Sequence, residues 1–332
     1  MKMPRTYLRI IRHIIGWSIL CLIIYTGYQF YRFALHFESS SPYVSRPPSV
    51  EGFLPIGALM GFKYWILTGA FNPIHPAAIV IFIAIIVVSI FLKKGFCSHI
   101  CPVGTISEAM WKIGKKVFGR NISFSKAIDY GLRSIKYLLM SFFLYVIIIR
   151  MDAHSLNAFL SGPYYKIADI KLLKFFTEMS TTTMITLSIL TVLSIVNKNF
   201  WCRYLCPYGA LLGLLSCLSP IKVTRDEQSC IHCGKCTENC PSYLVVEQKY
   251  RVISPECTGC LTCISHCPAK GALDMAMIGK RKIQPWLFTA LCVSVFFGVI
   301  TIGKVSGYWK SSVSYNEYKK LIPIASTLEH PR

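Results

Sequence analysis

The segment Cys230-Ile-His-Cys233-Gly-Lys-Cys236-Thr-Glu-Asn-Cys240-Pro241 is matched further on by Cys257-Thr-Gly-Cys260-Leu-Thr-Cys263-Ile-Ser-His-Cys267-Pro268. Each half reads C-x2-C-x2-C-x3-C-P, a spacing that holds [4Fe–4S] clusters. Three thiolates separated by two residues wrap a tight loop around one cube, the fourth points away to the other cube, and the proline turns the chain. The expected ligand sets are therefore crossed. Cluster one takes Cys230, Cys233, Cys236 and Cys267; cluster two takes Cys257, Cys260, Cys263 and Cys240. A zinc site needs only four ligands in paired C-x2-C units, and neither zinc nor a disulfide framework explains two matching four-cysteine halves.

Around this segment the chain is unusually apolar. Its 332 residues are 53% hydrophobic and only 15% charged, with a mean hydropathy of +0.48, a composition that points to a membrane protein. The formal net charge of +21 sits mostly beside apolar runs, where it sets orientation, so no nucleic-acid partner is expected. Five spans are expected: Ile14–Phe33, Ala77–Leu92, Ile135–Ile149, Thr181–Val196 and Trp286–Ile302, each judged against about 30 Å of hydrocarbon. Between 93 and 133, eight basic residues (Lys93, Lys94, Lys112, Lys115, Lys116, Arg120, Lys126, Arg133) oppose Glu108 and Asp129. That side is cytoplasmic by the positive-inside rule, as are the N-terminus, with Lys2, Arg5, Arg9 and Arg12, and the cysteine segment, followed by Lys280-Arg281-Lys282.

Residues 39–75, 150–180 and the tail 303–332 then lie outside, and they contain no cysteine; thiolates persist on the reducing side. The basic tail residues Lys304, Lys310, Lys319, Lys320 and Arg332 run against the charge rule. Arg46-Pro-Pro-Ser-Val-Glu51 reads as a loop. The run from Phe53 to Ala70, interrupted by Pro55, Gly57, Gly61 and Lys63, reads as an interfacial or re-entrant half-helix on the outer face, since broken backbone at depth needs protein cover.

An internal repeat accompanies the spans. Lys94-Gly-Phe-Cys97-Ser-His-Ile-Cys101-Pro102-Val-Gly104 parallels Asn199-Phe-Trp-Cys202-Arg-Tyr-Leu-Cys206-Pro207-Tyr-Gly209. Each copy follows a span at its cytoplasmic end and precedes an amphipathic stretch, Thr105–Val117 or Ala210–Leu218. Cysteines four apart share a helical face, so Cys97, Cys101, Cys202 and Cys206 form a candidate additional centre. Four thiolates suit an iron–sulfur cluster or zinc; the alternative is that they are small packing residues. Of the fifteen cysteines only Cys21, Cys217 and Cys292 remain, and their apolar neighbours make them core residues. There is no C-x-x-C-H for covalent haem. The scattered His13, His36, His75, His99, His154 and His330 read as structural rather than haem ligands. No Walker A or dinucleotide fingerprint is present.

Paired C-x3-C-P motifs at inner membrane ends, followed by the two-cluster segment, resemble the NapH family over roughly residues 75–280. Those proteins are membrane iron–sulfur quinol dehydrogenase subunits of periplasmic nitrate reductase systems; CcoG and the C-terminal half of NosR are related polyferredoxins. The implied fold is mainly α, a polytopic membrane helical protein with an inserted cytoplasmic α+β two-cluster bacterial ferredoxin-like module. The expected division is a membrane domain over 1–218, the ferredoxin-like domain over 219–283, and a C-terminal span with an outer tail over 284–332. The implied function is electron transfer between the quinone pool and a redox partner, in the bacterial inner membrane. The partner is a periplasmic oxidoreductase, a cytochrome or a cytoplasmic carrier. The alternative is an assembly protein reducing a metal ion, as a CcoG-like cupric reductase would. The chain departs from NapH in its 45–75 segment and in its fifth span and tail. Quinone is expected near Cys97–Gly104 and Cys202–Gly209, beside Phe96, Trp201 and Tyr208. Glu51, Lys63 and His75 form the rival outer site, since ionisable groups at membrane depth are functional candidates.

Overall fold

The computed structural model describes residues 5–39, 41–278 and 281–329. Lys2, Lys280, His330 and Arg332, used above for charge or as histidine candidates, lie outside the described residues. In chain order the helices begin with α1 (Arg5–Ser39), a 3-10 turn (Pro48–Phe53), α2 (Pro55–Thr68), α3 (Pro76–Phe91), α4 (Gly95–His99) and α5 (Pro102–Phe118). Next come α6 (Lys126–Leu144), running on through a π turn (Tyr145–Arg150), then α7 (Ala153–Ser161), α8 (Pro163–Lys166), α9 (Ala168–Thr177) and α10 (Thr181–Val196). A second π turn (Trp201–Leu205) leads to α11 (Pro207–Leu215). The cysteine segment contains β1 (Lys222–Arg225), α12 (Lys235–Glu238), α13 (Thr262–Ser265), β2 (Leu273–Ala276) and β3 (Lys282–Ile283). The chain closes with α14 (Pro285–Val305) and α15 (Tyr315–Leu321).

By length and composition three helices can cross a membrane, Tyr7–Ser39, Lys126–Arg150 and Pro285–Val305, and a fourth if α9 and α10, bent by 78°, count as one span. Helix α3 is apolar but has only 16 residues. The chain forms two compact units. One comprises Met1–Leu20, Ile85–Met140 and Ser188–Phe297; the other Cys21–Ala84, Ser141–Leu187 and Gly298–Arg332. Every motif cysteine belongs to the first unit. The three cysteine-free segments 39–75, 150–180 and 303–332 belong to the second.

In the first unit, the segment's own ends form a sheet. β1 pairs antiparallel with β2 (Lys222↔Ala276) and β2 with β3 (Met275↔Ile283), so the strands before Cys230 and after Cys267 close the module around the cysteines. Helix α5 lies against α1 and α10 because glycines allow it. A Cβ on Gly16 would stand 2.9 Å from Thr105 Oγ1, and one on Gly114 would strike the Ile195 carbonyl. Arg12 donates to both oxygens of Glu108 at 2.6 and 2.7 Å. Burial raises the Glu108 carboxyl, but Arg12 and Lys112 outweigh it and hold the group at about 2. Cys292 is fully buried on α14, against Gly95, whereas Cys217 is half-buried and Cys21 is exposed on α1. The core assignment therefore holds for Cys292 and fails for Cys21. Apolar neighbours in sequence did not reveal which side of a long helix packs.

In the second unit, Phe30, Phe33, Val50, Ile167, Tyr318 and Ile322 make one core. Met60, Ile74, Ile147, Leu156, Leu160 and Tyr165 make another. The tail is tied in by Ser312, whose amide donates to the Pro73 carbonyl at 2.9 Å, and by a Ser314–Glu317 capping box on α15. Pro55, Gly57, Gly61 and Lys63 do not break the helix of the 53–70 run. Helix α2 is continuous over 14 residues and ends at Gly69 in the left-handed conformation (φ 71°). Pro55 stands in its first turn, where a missing N–H costs nothing. Gly57 and Gly61 make room for Tyr165 and Ile79. Lys63 donates at 3.0 Å to the carbonyls of Ile147 and Ile148, and also to that of Met151, capping the π turn after α6. The stretch read as a loop holds the 3-10 turn Pro48–Phe53, with Glu51 fully buried.

Candidate iron–sulfur sites

Two cavities open in the module. The first, about 340 Å³ of empty space, is lined by Cys230, Cys233, Cys236 and Cys267 together with Arg225 and Glu247. The second, about 370 Å³, is lined by Cys240, Cys257, Cys260 and Cys263 together with Leu244, Val246 and Leu261. Each cavity thus gathers the three thiols of one loop and the fourth from the other half, the crossed partition that the spacing implies.

The loop backbone explains how. His232 and Gly234 have φ of 51° and 69°, and Gly259 and Leu261 have 64° and 60°. In both halves these residues flank the second cysteine of the run, Cys233 or Cys260. Left-handed residues next to ordinary ones turn successive N–H groups inward, a concavity suited to anions. One-turn helices, α12 and α13, then carry Cys236 and Cys263, and the chain leaves through Cys240 and Cys267. Leu261 accepts this strained conformation while 3% exposed, packed at the cavity wall.

The donor set fits [4Fe–4S] clusters. Burial pushes the Cys240 thiol up to about 12; a thiol so placed becomes a thiolate only beside strong positive charge, which bound iron supplies. At the first cavity, the Arg225 guanidinium reaches the Cys230 thiol, a donor suited to the sulfurs of a negatively charged cluster. Among the described residues no three His, Cys, Asp or Glu side chains are set for a single metal ion. Cys233 is exposed, whereas Cys240 is buried, so the first cavity is the more accessible.

The C-x3-C-P loops are built alike, but not as continuous helices. Cys97 lies in α4 and Cys202 in the π turn. Cys101 and Cys206 lie beyond them in extended conformation, as N-caps of α5 and α11. This corrects the one-face reading; proline in the next position disfavours the helical conformation at each second cysteine. In both loops the amide of that cysteine reaches back five residues, Cys101 to Phe96 at 2.9 Å and Cys206 to Trp201 at 3.0 Å. The Cys202 thiol lies near enough to those of Cys206, Cys101 and Cys97 to feel their charge, so the four sequence candidates are neighbours. Tyr208 stands beside Cys97, Cys101 and Cys206.

Basic residues, among them Lys93, which counts toward topology, make specific contacts within this unit. Lys93 donates to the Ile253 and Ser254 carbonyls at 3.4 and 3.2 Å, just before Cys257. Lys198 donates to the Glu238 carbonyl at 3.2 Å, just before Cys240, and lies over the rings of Trp111 and Tyr243. Arg203 joins the Ser242 carbonyl at 2.6 Å to Asp129 at 2.9 Å. Lys136 donates to both Glu256 oxygens at 2.8 Å, and Tyr137 adds a bond at 3.0 Å. Periodicity and motif carry no signal for these pairings, because the partners are 40 to 160 residues apart.

The rival outer set is only partly assembled. Glu51 and His75 are fully buried and 3.2 Å apart. Arg46 joins them, pairing with Glu51 at 2.8 Å and Asp169 at 2.7 Å. The second Glu51 oxygen accepts from the Ala78 amide at 3.1 Å, and His75 Nε2 meets the Tyr165 carbonyl at 2.7 Å. Lys63 is bound to the carbonyls named above and is not part of this group. Arg46 and Asp169 were absent from the sequence reading; Arg46 stands in the quoted Arg46–Glu51 stretch, but nothing there marks its partner.

Comparison with known proteins fits these sites. Residues 74–121 and 179–225 match a family described as a 4Fe-4S binding domain, and residues 222–268 match a 4Fe-4S dicluster domain. The putative electron transport protein YccM of Escherichia coli is 41% identical over 320 residues, covering 94% of this chain and 89% of that protein. The ferredoxin-type protein NapH of E. coli is 26% identical, covering 58% of this chain and 66% of its own length. The methylamine utilization ferredoxin-type protein MauN of Paracoccus denitrificans is 24% identical, over 55% of this chain and 62% of its own. No solved structure matches. With YccM aligned over nearly the whole chain and both cysteine patterns inside matched domains, the chain belongs to the family of NapH-type polyferredoxins, iron–sulfur electron-transfer proteins.

Proposed function

We propose that this protein passes electrons between the quinone pool and a redox partner through two [4Fe–4S] clusters, ligated by Cys230, Cys233, Cys236 and Cys267 and by Cys257, Cys260, Cys263 and Cys240. The observation that carries this reading is the pair of cavities lined by those crossed thiols. Conversion of quinol to quinone releases two electrons and two protons, and each cluster, when bound, supplies a one-electron site. The exposed loop around Cys233 is the side open to a soluble partner, with Ile231 beside it 64% exposed.

The quinone site is assigned to the C-x3-C-P loops. Tyr208 stands there beside Cys97, Cys101 and Cys206, and the loops lie in the same unit as the module cysteines. At the outer group, Glu51, His75 and Arg46 already spend their bonds on one another and on backbone. With menaquinol as reductant, Tyr208→Leu is expected to slow cluster reduction at least tenfold and His75→Ala to leave the rate near wild type, followed by the visible bleaching of the clusters. The reverse pattern would move the quinol site to the outer group. Reoxidation of dithionite-reduced clusters by Cu(II), without any menaquinol reaction, would select a metal-reducing role instead.

The proposed orientation puts the N-terminus and the cysteine module in the cytoplasm of a bacterial inner-membrane protein and the tail in the periplasm. It is supported by the separation of the motif cysteines from segments 39–75, 150–180 and 303–332 into different units. A cysteine introduced at Ser155, the exposed start of α7, should react with a membrane-impermeant maleimide in intact spheroplasts. Labelling only after lysis would invert the topology.

A further inference from the structure

The two C-x3-C-P loops converge in a way that neither loop explains alone. Each supplies two cysteines, too few for a cluster of its own. After each second cysteine come a proline and, two residues later, a glycine packed against the loops. A Cβ on Gly104 would strike the Cys97 carbonyl, and one on Gly209 would stand 3.4 Å from Cys206 Sγ and 3.5 Å from Lys94 Nζ. The second distance is the informative one: Lys94 belongs to the first loop and reaches into the second. Lys94 is only 4% exposed, and its ammonium lies near the thiols of Cys97, Cys206 and Cys202 and near the Glu256 carboxylate, both of whose oxygens already accept from Lys136; one carboxylate between two buried ammoniums leaves positive charge uncompensated. Cys101 likewise faces Cys206 across the repeat. None of the four is in a disulfide.

A buried ammonium is costly unless opposed by negative charge, and four thiolates around a [4Fe–4S] core leave a net anion. We infer that Cys97, Cys101, Cys202 and Cys206 hold one [4Fe–4S] cluster shared between the two repeats, a third centre per chain, with Lys94 as its fixed counter-charge. The neighbours of this centre set its place in the chain of carriers, a placement that rests on the electron-transfer reading above. Ser98 Oγ donates to the Thr258 carbonyl at 2.8 Å, and Arg203 to the Ser242 carbonyl at 2.6 Å. Both acceptors sit beside ligands of cluster two, Cys257 and Cys240. The third centre is therefore next to cluster two, and cluster one is the far end.

The test uses the full-length protein, purified anaerobically in detergent, with iron, acid-labile sulfide and zinc counted and Mössbauer and EPR spectra recorded. Wild type is expected to hold about four irons and four sulfides more than the eight module thiols can ligate. Cys97→Ala and Cys202→Ala should each lose the same about four irons and abolish the spin coupling of the third centre to cluster two. Iron for two clusters only in wild type overturns the proposal, as does zinc in place of the extra iron or iron loss from one variant but not the other. The wild-type count decides even where a variant fails to fold. It involves no quinol, so its failure leaves the quinone reading standing, and failure of menaquinol to reduce a three-cluster protein refutes only that reading. Lys94→Met should lower the midpoint potential of the third centre alone, because a nearby cation favours the reduced, more negative state, and Lys94→Arg should restore it. Unchanged potential in Lys94→Met removes Lys94 from the role of counter-charge.

Discussion

Cys240→Ser is expected to abolish the cluster of Cys257, Cys260 and Cys263 while sparing that of Cys230, Cys233 and Cys236, its own neighbours in sequence. Cys240 lines the second cavity and is absent from the first. It is also buried, so a serine there cannot recruit solvent readily as a substitute ligand. About half of the module's iron should go with it. The complementary variant, Cys267→Ser, should remove the other half. EPR of the reduced protein separates the outcomes, since Cys240→Ser removes the signal of cluster two and its coupling to its neighbours, whereas Cys267→Ser removes that of cluster one. If Cys240→Ser alters only the signal lost in Cys230→Ser, the crossed ligation is wrong.

The second large effect concerns Glu256. Its carboxylate takes two bonds from Lys136 at 2.8 Å and one from Tyr137 at 3.0 Å, and Lys136 is 1% exposed at its side chain. Removing one member of a buried pair leaves the other charge without compensation, at a cost of about 3–5 kcal/mol. Glu256→Ala should therefore destabilise the first unit by that amount, read as denaturant unfolding in detergent. Replacing both partners, Glu256→Leu with Lys136→Met, should cost much less, because no lone charge remains. A Glu256→Ala variant within about 1 kcal/mol of wild type would mean that the pair contributes nothing, as many exposed pairs do.

The module was legible because its chemistry is local. Cysteine spacing within each half determines which thiols can share a cube, and the cavities follow that partition. The repeat was legible as well, although its geometry was misjudged: the i, i+4 argument assumes a helix, and Pro102 and Pro207 end one before the second cysteine. Charge was read one level too coarsely. Lys93 and Lys94 count toward a cytoplasmic loop by sign, yet both are buried, and Lys93 is bonded to the Ile253 and Ser254 carbonyls. Sign and density predict orientation; partners depend on tertiary approach over long sequence separations. The outer group failed for a related reason. Glu51, Lys63 and His75 were grouped as ionisable residues at depth, but Lys63 meets the demand of free carbonyls at the end of α6, and Arg46 takes the place expected for it.

The grip of Lys93 and Lys198 on the backbone just before Cys257 and Cys240 has a consequence for biogenesis. Both lysines follow apolar helices, α3 and α10, that leave the ribosome before any module cysteine. The platform that holds this loop is thus synthesised first. Helix α14 comes last, and its Phe288 closes on Gly259, where an added Cβ would stand 3.1 Å from the ring. Between the synthesis of Cys267 and the arrival of α14, the cluster-two loop stands on its platform with that wall still open.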